Sequence, residues 1–438
     1  MSHQTKDSLY LDTLQSWKTI IISSLFFCYI FAQMTMFNAI GKSLILDFHL
    51  TAAQFGHLSA GYFYGNLIFL VPAGILLDRY SAKTILLSVM FIASLATYLF
   101  TLTNTLLPAM LVRILIGMSG AFALLATIRI ATRWFSSKNM ALVVGVAVTI
   151  AMFGGMVAQT PFTWMTAKIG WRMTLTYVSA AGGIIFLLIL FFVSDYPKGS
   201  GINHNLQSSQ ESLKVFSALK QALLNKQNWF VGATISLLNL PVFIFGATWG
   251  GVYLQQMQHI SFIEASHITS MIFLGLIIGS PLFGWLSDRY SFALNIKKFS
   301  LKLVAKSSRK QPLMISAILS LLLIAVLMLP VKFSYATLLI IFFLVGFVSS
   351  FQICGYPLIT EHNPPHLAAS ASSIASMLIM SGGFVLPLFG WLMAFSGDTK
   401  ILNHQTIYTY HDFVLALSLL PICYLLAAIT CYFSKEGV

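Results

Sequence analysis

Apolar residues fall into twelve blocks of about twenty, parted by short polar segments. The blocks run approximately over 18–41, 53–77, 83–103, 106–130, 139–163, 171–193, 229–256, 265–287, 312–330, 333–359, 366–395 and 410–433. A helix needs about 20 apolar residues to cross a bilayer core. None of the blocks shows the two-residue alternation of a barrel strand. The pattern predicts an all-α integral membrane protein with twelve transmembrane helices. The longest polar stretch lies at 194–228 and carries Asp195, Pro197, Gly199 and Gly201. It divides the chain into a tail at 1–17, a six-helix bundle at 18–193, a linker at 194–228, a second six-helix bundle at 229–433 and a tail at 434–438.

Composition supports this reading. Of 438 residues, 58% are hydrophobic and 8% are charged, against about 25% charged in a soluble domain. So few charges cannot cover a water-facing surface, and lipid must cover much of it. The net charge of +13 reflects basic residues in the loops between spans. Nucleic acid is not an expected partner, because those residues form no continuous patch. If both termini are cytoplasmic, 19 of the 25 Lys and Arg lie on the cytoplasmic side, Arg113 lies inside a span, and five are external: Lys42, Lys168, Arg172, Lys332 and Lys400. That asymmetry sets the expected orientation, and the expected location is a bacterial inner (cytoplasmic) membrane. The first 17 residues are polar with both charge signs, unlike a secretory signal. Cys28, Cys354, Cys423 and Cys431 sit in apolar runs without a CxxC spacing and are expected to be inert. There is no HExxH, no GxSxG, no metal-ligand cluster and no phosphate-binding glycine loop, so neither an enzyme nor a cofactor or metal is expected.

One motif occurs twice. Residues 74–83 read GILLDRYSAK and residues 284–291 read GWLSDRYS, each at the expected cytoplasmic end of the second span of its half. A duplicated six-span bundle is an architecture of secondary transporters. The glycines are expected to allow close helix approach. The Asp78 carboxylate is suited to free N–H groups at a helix start. The start of span eleven is the candidate partner, with Asn363 as its cap and Pro364 and Pro365 in its first turn.

With these features the chain resembles the major facilitator superfamily, whose loop signature is approximately G-x-L-x-D-R-x-G-R-K. Gly74, Asp78, Arg79 and Lys83 match it, as do Gly284, Asp288 and Arg289; Ser81 and Ala82 depart from it. The resemblance implies a transporter working by alternating access, gated by these seven residues, and a monomer. In the second copy an insertion separates Ser291 from Arg309 and Lys310, which look like the displaced end of the motif. Residues 292–310 suit either a helix lying on an anionic leaflet or an ordinary basic loop. Gly170, Trp171 and Arg172 also resemble the family and are expected to anchor a helix start.

Arg113, Gly117, Gly120 and Ala121 match the family's fourth-span pattern R-x-x-x-G-x-x-G-A. A charge inside a span is costly and marks function or an internal partner. Arg113 is suited to a substrate carboxylate or to backbone carbonyls. Spans one, four, seven and ten line the path in this family. From them, and from span two, the candidate substrate-binding residues are Tyr29, Gln33, Tyr62, Arg113, Asn239, Trp249, Tyr253, Gln352 and Tyr356. The family's Gly-Pro antiporter signature in span five is absent, and no Asp or Glu falls in the middle of a span. The expected function is secondary active or facilitative transport of a small polar solute: an amino acid, a short peptide or an organic anion, with protons as a candidate coupling ion. A proton-coupled exporter of a drug-like or siderophore-like compound and a non-transporting membrane sensor stand as alternatives.

Overall fold

The computed structural model describes residues 14–135, 139–197, 220–289, 309–364, 367–395, 400–402 and 405–435. The chain forms two compact units, 1–212 and 213–438. In the first unit the helices are α1 (Leu14–Thr35), α2 (Phe37–Phe48), α3 (Ala52–Arg79), α4 (Ala82–Thr101), α5 (Leu106–Gly120), α6 (Ala123–Trp134), α7 (Met140–Val157) and α8 (Thr160–Phe192). The second unit holds α9 (Lys226–Pro241), a π-helical segment Val242–Trp249, α10 (Gly250–Gln256), α11 (Phe262–Arg289), α12 (Lys310–Leu327), α13 (Tyr335–Ser349), a 3₁₀ segment Ser350–Cys354 and α14 (Gly355–Glu361). It continues through α15 (Ala368–Ser381), a 3₁₀ turn Gly382–Phe384, α16 (Val385–Phe395), a hairpin of β1 (Lys400–Leu402) and β2 (Gln405–Ile407), α17 (Tyr410–Leu417) and α18 (Leu419–Phe433).

Eleven runs among the described residues are long and apolar enough to span a membrane. One of them, Leu142–Phe192, has 51 residues; as one straight helix it would extend roughly 76 Å. Gly170 interrupts it with φ +79°, a conformation open to glycine and costly for other residues. The run is therefore two spans, which gives the twelve read from the sequence. Beyond the break, Trp171 Nε1 donates to Asp47 Oδ2 at 2.8 Å and Arg172 Nη1 pairs with the same oxygen at 2.5 Å. The Gly-Trp-Arg segment thus fastens a helix start to the end of α2.

The repeat extends well beyond the loop motif. His49 and His259 take left-handed φ values of 52° and 55°. Two residues later, Thr51 and Ser261 cap α3 and α11, and Gln54 and Glu264 return the bond to the backbone of the cap residue. These reciprocal boxes satisfy N–H groups that a helix start leaves free. His57 and His267 each sit 3.2 Å from a tyrosine hydroxyl, Tyr64 and Tyr335. The pairs His49 and His259, Thr51 and Ser261, Gln54 and Glu264, and His57 and His267 are each 210 residues apart, the spacing of the two motifs; the tyrosine partners do not share that spacing.

Helix packing repeats as well. A Cβ at Gly65 or Gly117 would overlap the carbonyl of Ile114 or Tyr62, joining α3 to α5. A Cβ at Gly275 or Gly346 would overlap the carbonyl of Phe343 or Ile272, joining α11 to α13. Small residues let backbones meet where lipid supplies no hydrophobic drive for helices to associate. The motif glycines do not have this role: a Cβ on Gly74 or Gly284 meets no described atom within 4 Å.

Candidate functional site

The site grows from a bend in the first span. Thr35 Oγ1 donates back to Phe31 O at 3.0 Å, a bond that competes with the helical ladder and bends helices. The helix ends there, Met36 intervenes, and α2 resumes at Phe37. Gln33 and Phe37, on either side of the break, face the same partner. The contact between Gly117 and Tyr62 brings α5 against α3 one turn beyond Arg113, so the guanidinium enters the interior of the unit.

Arg113 is fully buried. Its Nη1 donates to Gln33 O at 2.9 Å. The guanidinium carbon lies 4.5 Å from the centre of the Phe37 ring and 5.6 Å from that of Tyr62, where ring faces attract a cation. Nε and Nη2 are buried with no hydrogen-bond partner, and so are both amide atoms of Gln33. Nε and Nη2 form one edge of the guanidinium, the fork that grips a carboxylate through two parallel bonds. Among the described residues Arg113 forms no ion pair, unlike Arg133 with Asp195, Arg172 with Asp47 and Arg309 with Glu361. Removing a charge from water costs several kcal/mol unless a partner compensates, so this buried edge favours an anion.

The other candidates are placed variously. Tyr29 is buried and donates to Thr97 Oγ1 at 2.9 Å. Nearby in sequence, Asn38 donates to Gln159 Oε1 and Gln159 to Thr35 O, both at 3.3 Å. In the second unit Gln352 Nε2 donates to Asn239 Oδ1 at 2.9 Å, while Gln352 Oε1 is buried without a partner. Trp249 and Tyr253 are buried in packing: Tyr253 donates to Leu327 O at 2.7 Å, and Trp249 lies 5.8 Å from Phe389. Tyr356 is half-buried. The structure therefore brings Gln33, Tyr62 and Arg113 together, and separately pairs Asn239 with Gln352. Sequence reading missed Phe37 beneath the guanidinium. Its spacing of four from Gln33 was the available signal.

The motif-bearing ends carry a different chemistry. The side chains of Asp78, Asp288 and Arg289 lie outside the described residues, as do residues 292–308. Arg79 is exposed. Lys83 Nζ donates to Leu190 O at 2.8 Å, near the end of α8. Lys310 Nζ donates to Tyr432 O and Ser434 O at 2.6 Å, at the end of α18. Each lysine neutralises the negative end of the last span of its unit, so Lys310 fills the place that Lys83 fills in the first copy. Asp195 gathers Arg133 at 2.5 Å, the Lys83 backbone N–H at 3.2 Å and the Ser81 hydroxyl. Asn363 does not cap span eleven, as the sequence suggested. Its side chain bonds Asn228 at 2.7 Å, Ile359 O at 2.8 Å and Asn225 at 3.1 Å, and α15 starts at Ala368 after Leu367, without a side-chain cap. Two asparagine amides and the Ile359 carbonyl outcompete a terminal N–H for that side chain.

Comparison with known proteins agrees with this architecture. The family model for the Major Facilitator Superfamily matches residues 22–387. The probable galactarate/D-glucarate transporter GudP of Escherichia coli K12 is 22% identical over 412 residues, covering 87% of each chain. The hexuronate transporter of Bacillus subtilis is 27% identical, over 59% of this chain and 61% of its own. Among solved structures, a bacterial homologue of the human lysosomal transporter Spinster, inward-facing and unoccupied, superposes with a TM-score of 0.71 at 15% identity, covering 97% of both chains. The nucleoside transporter NupG gives 0.69 at 16% identity, over 97% of this chain and 100% of its own. With a family match over most of its length and a fold shared from end to end, the chain belongs to the Major Facilitator Superfamily and is an integral membrane transporter.

Proposed function

We propose that this transporter carries a small organic anion, with a carboxylate held on the free edge of Arg113. The observation that carries this reading is a fully buried guanidinium with Nε and Nη2 unpaired. Relatives named as a probable galactarate/D-glucarate transporter, a hexuronate transporter and a probable sulfoacetate transporter support the class. Each of those solutes is an acid, and several are rich in hydroxyls. We place both termini and the motif-bearing ends on the cytoplasmic side, as the Lys and Arg asymmetry supports, and assign the two Asp-Arg loops to gating the cycle.

The test is thermal unfolding of the purified chain with D-glucarate, galactarate, a hexuronate, sulfoacetate, amino acids and neutral sugars. A ligand that binds the folded state stabilises it by RT ln(1 + [L]/Kd). Acids are expected to raise Tm in the wild-type chain and to lose that effect in Arg113→Gln. Stabilisation by amino acids or neutral sugars alone would overturn the reading.

A further inference from the structure

The surroundings of Arg113 bear on how transport is driven. The chain has twelve carboxylates, and none lies in the middle of a span. In the first unit Asp47 is engaged by Trp171 and Arg172, and Asp195 by Arg133, Ser81 and Lys83. Along the helix axis Asp78 is roughly 24 Å from Tyr62, and Asp47 roughly 15 Å from Phe37. Glu211 and the two tail carboxylates, Asp7 and Asp12, lie outside the spans. Among the described residues, Phe37 from α2 and Tyr62 from α3 face the guanidinium, with the Gln33 carbonyl from α1. None is an acid that trades a proton for the arginine. His57, the imidazole on α3, is exposed and bonded to Tyr64.

From this arrangement we infer that the protein is an anion exchanger. A proton symporter clears its buried cation with an internal carboxylate when the substrate leaves. Here the transported anion is the counter-charge. Loaded with a monocarboxylate, the site is a paired ion; empty, it is a guanidinium with Nε and Nη2 unpaired in a low-dielectric interior, which is costly to enclose. Reorientation of the loaded carrier is therefore fast and that of the empty carrier slow, so each anion released is replaced by another before the carrier returns. The inference rests on the organic-anion reading above.

The experiment uses the full chain in proteoliposomes, with a labelled hexuronate, a monocarboxylate that balances one guanidinium, outside, the membrane potential clamped and insertion verified. Unlabelled hexuronate in the lumen should accelerate uptake by about tenfold or more, a barrier difference smaller than that expected of one unpaired buried ion. An inward proton gradient should leave the rate unchanged. Comparable uptake into hexuronate-free vesicles, or acceleration by the proton gradient, would overturn exchange and leave the organic-anion reading standing. No uptake in any vesicle would overturn both.

Discussion

The two units share a frame and differ in what it encloses. α3 and α5 in the first meet through Gly65 and Gly117; α11 and α13 in the second meet through Gly275 and Gly346. The contacts correspond residue for residue: Tyr62 and Ile272 supply the carbonyl facing the later glycine, and Ile114 and Phe343 that facing the earlier one. In this register, the residue before Ile114 is Arg113 and the residue before Phe343 is Phe342. Arg113 rests over Tyr62 with two nitrogens unpaired. Phe342 packs on Phe245 with ring centres 5.5 Å apart, and Ile272 replaces the tyrosine. Duplication preserved the packing, which tolerates little change, while the interior diverged. The first unit keeps a cation and the second fills the same place with hydrocarbon.

The largest effect expected is on the shared frame. Gly117→Val and Gly346→Val drive a side chain into a neighbouring backbone carbonyl, and each should cost more than about 3 kcal/mol. Folded yield and Tm in detergent should fall alike for both; a large loss in one unit alone would show that the frames are not equivalent. Next comes the cation. Arg113→Gln should lower D-glucarate uptake by at least about 100-fold with a near-normal melting profile, since removing one member of a buried charge pair costs about 2–5 kcal/mol. Arg113→Lys should not restore it, because an ammonium lacks the planar fork. Normal uptake by Arg113→Gln would refute the contrast between the units.

Smaller effects separate the motif-bearing ends. The Arg133–Asp195 pair has side chains only 10% and 14% exposed, against 19% and 36% for Arg309–Glu361. Asp195→Asn should cost about 2 kcal/mol, less than a fully buried pair. Glu361→Gln should cost about 1 kcal/mol or less. Equal losses in thermal unfolding would deny the difference in burial. The matched caps provide the finest comparison: Thr51→Ala and Ser261→Ala should each cost about 1 kcal/mol. Gly74→Ala and Gly284→Ala should change stability by less than about 0.5 kcal/mol, because open space receives the added methyl. A transport defect in either stable alanine variant would place those glycines in the gating motion.

The spans were legible because hydrophobic length is a one-dimensional property: lipid demands it of each helix separately. Arg113 was legible for a related reason, since an ionised group inside an apolar run stands out wherever it finally points. Its partners were less so. Gln33 and Tyr62 entered the candidate set as polar residues on suitable spans, but so did Trp249 and Tyr253, which are enclosed in packing. A polar side chain looks the same in sequence whether its atoms are satisfied or free. Asn363 shows the same ambiguity: its position suits a cap, yet two distant asparagines capture it.

From the sequence alone came the membrane class, the two six-span halves, the repeated Asp-Arg motif and the buried arginine, because each depends on composition or local order along the chain. Tertiary structure decided which glycines carry the helix contacts, that the Lys83 and Lys310 ammoniums clamp the last span of each unit, and which edge of Arg113 is left unpaired. Those outcomes depend on backbones and side chains brought together from spans dozens of residues apart. Hydrogen-bond satisfaction is settled only when every partner has its place in space.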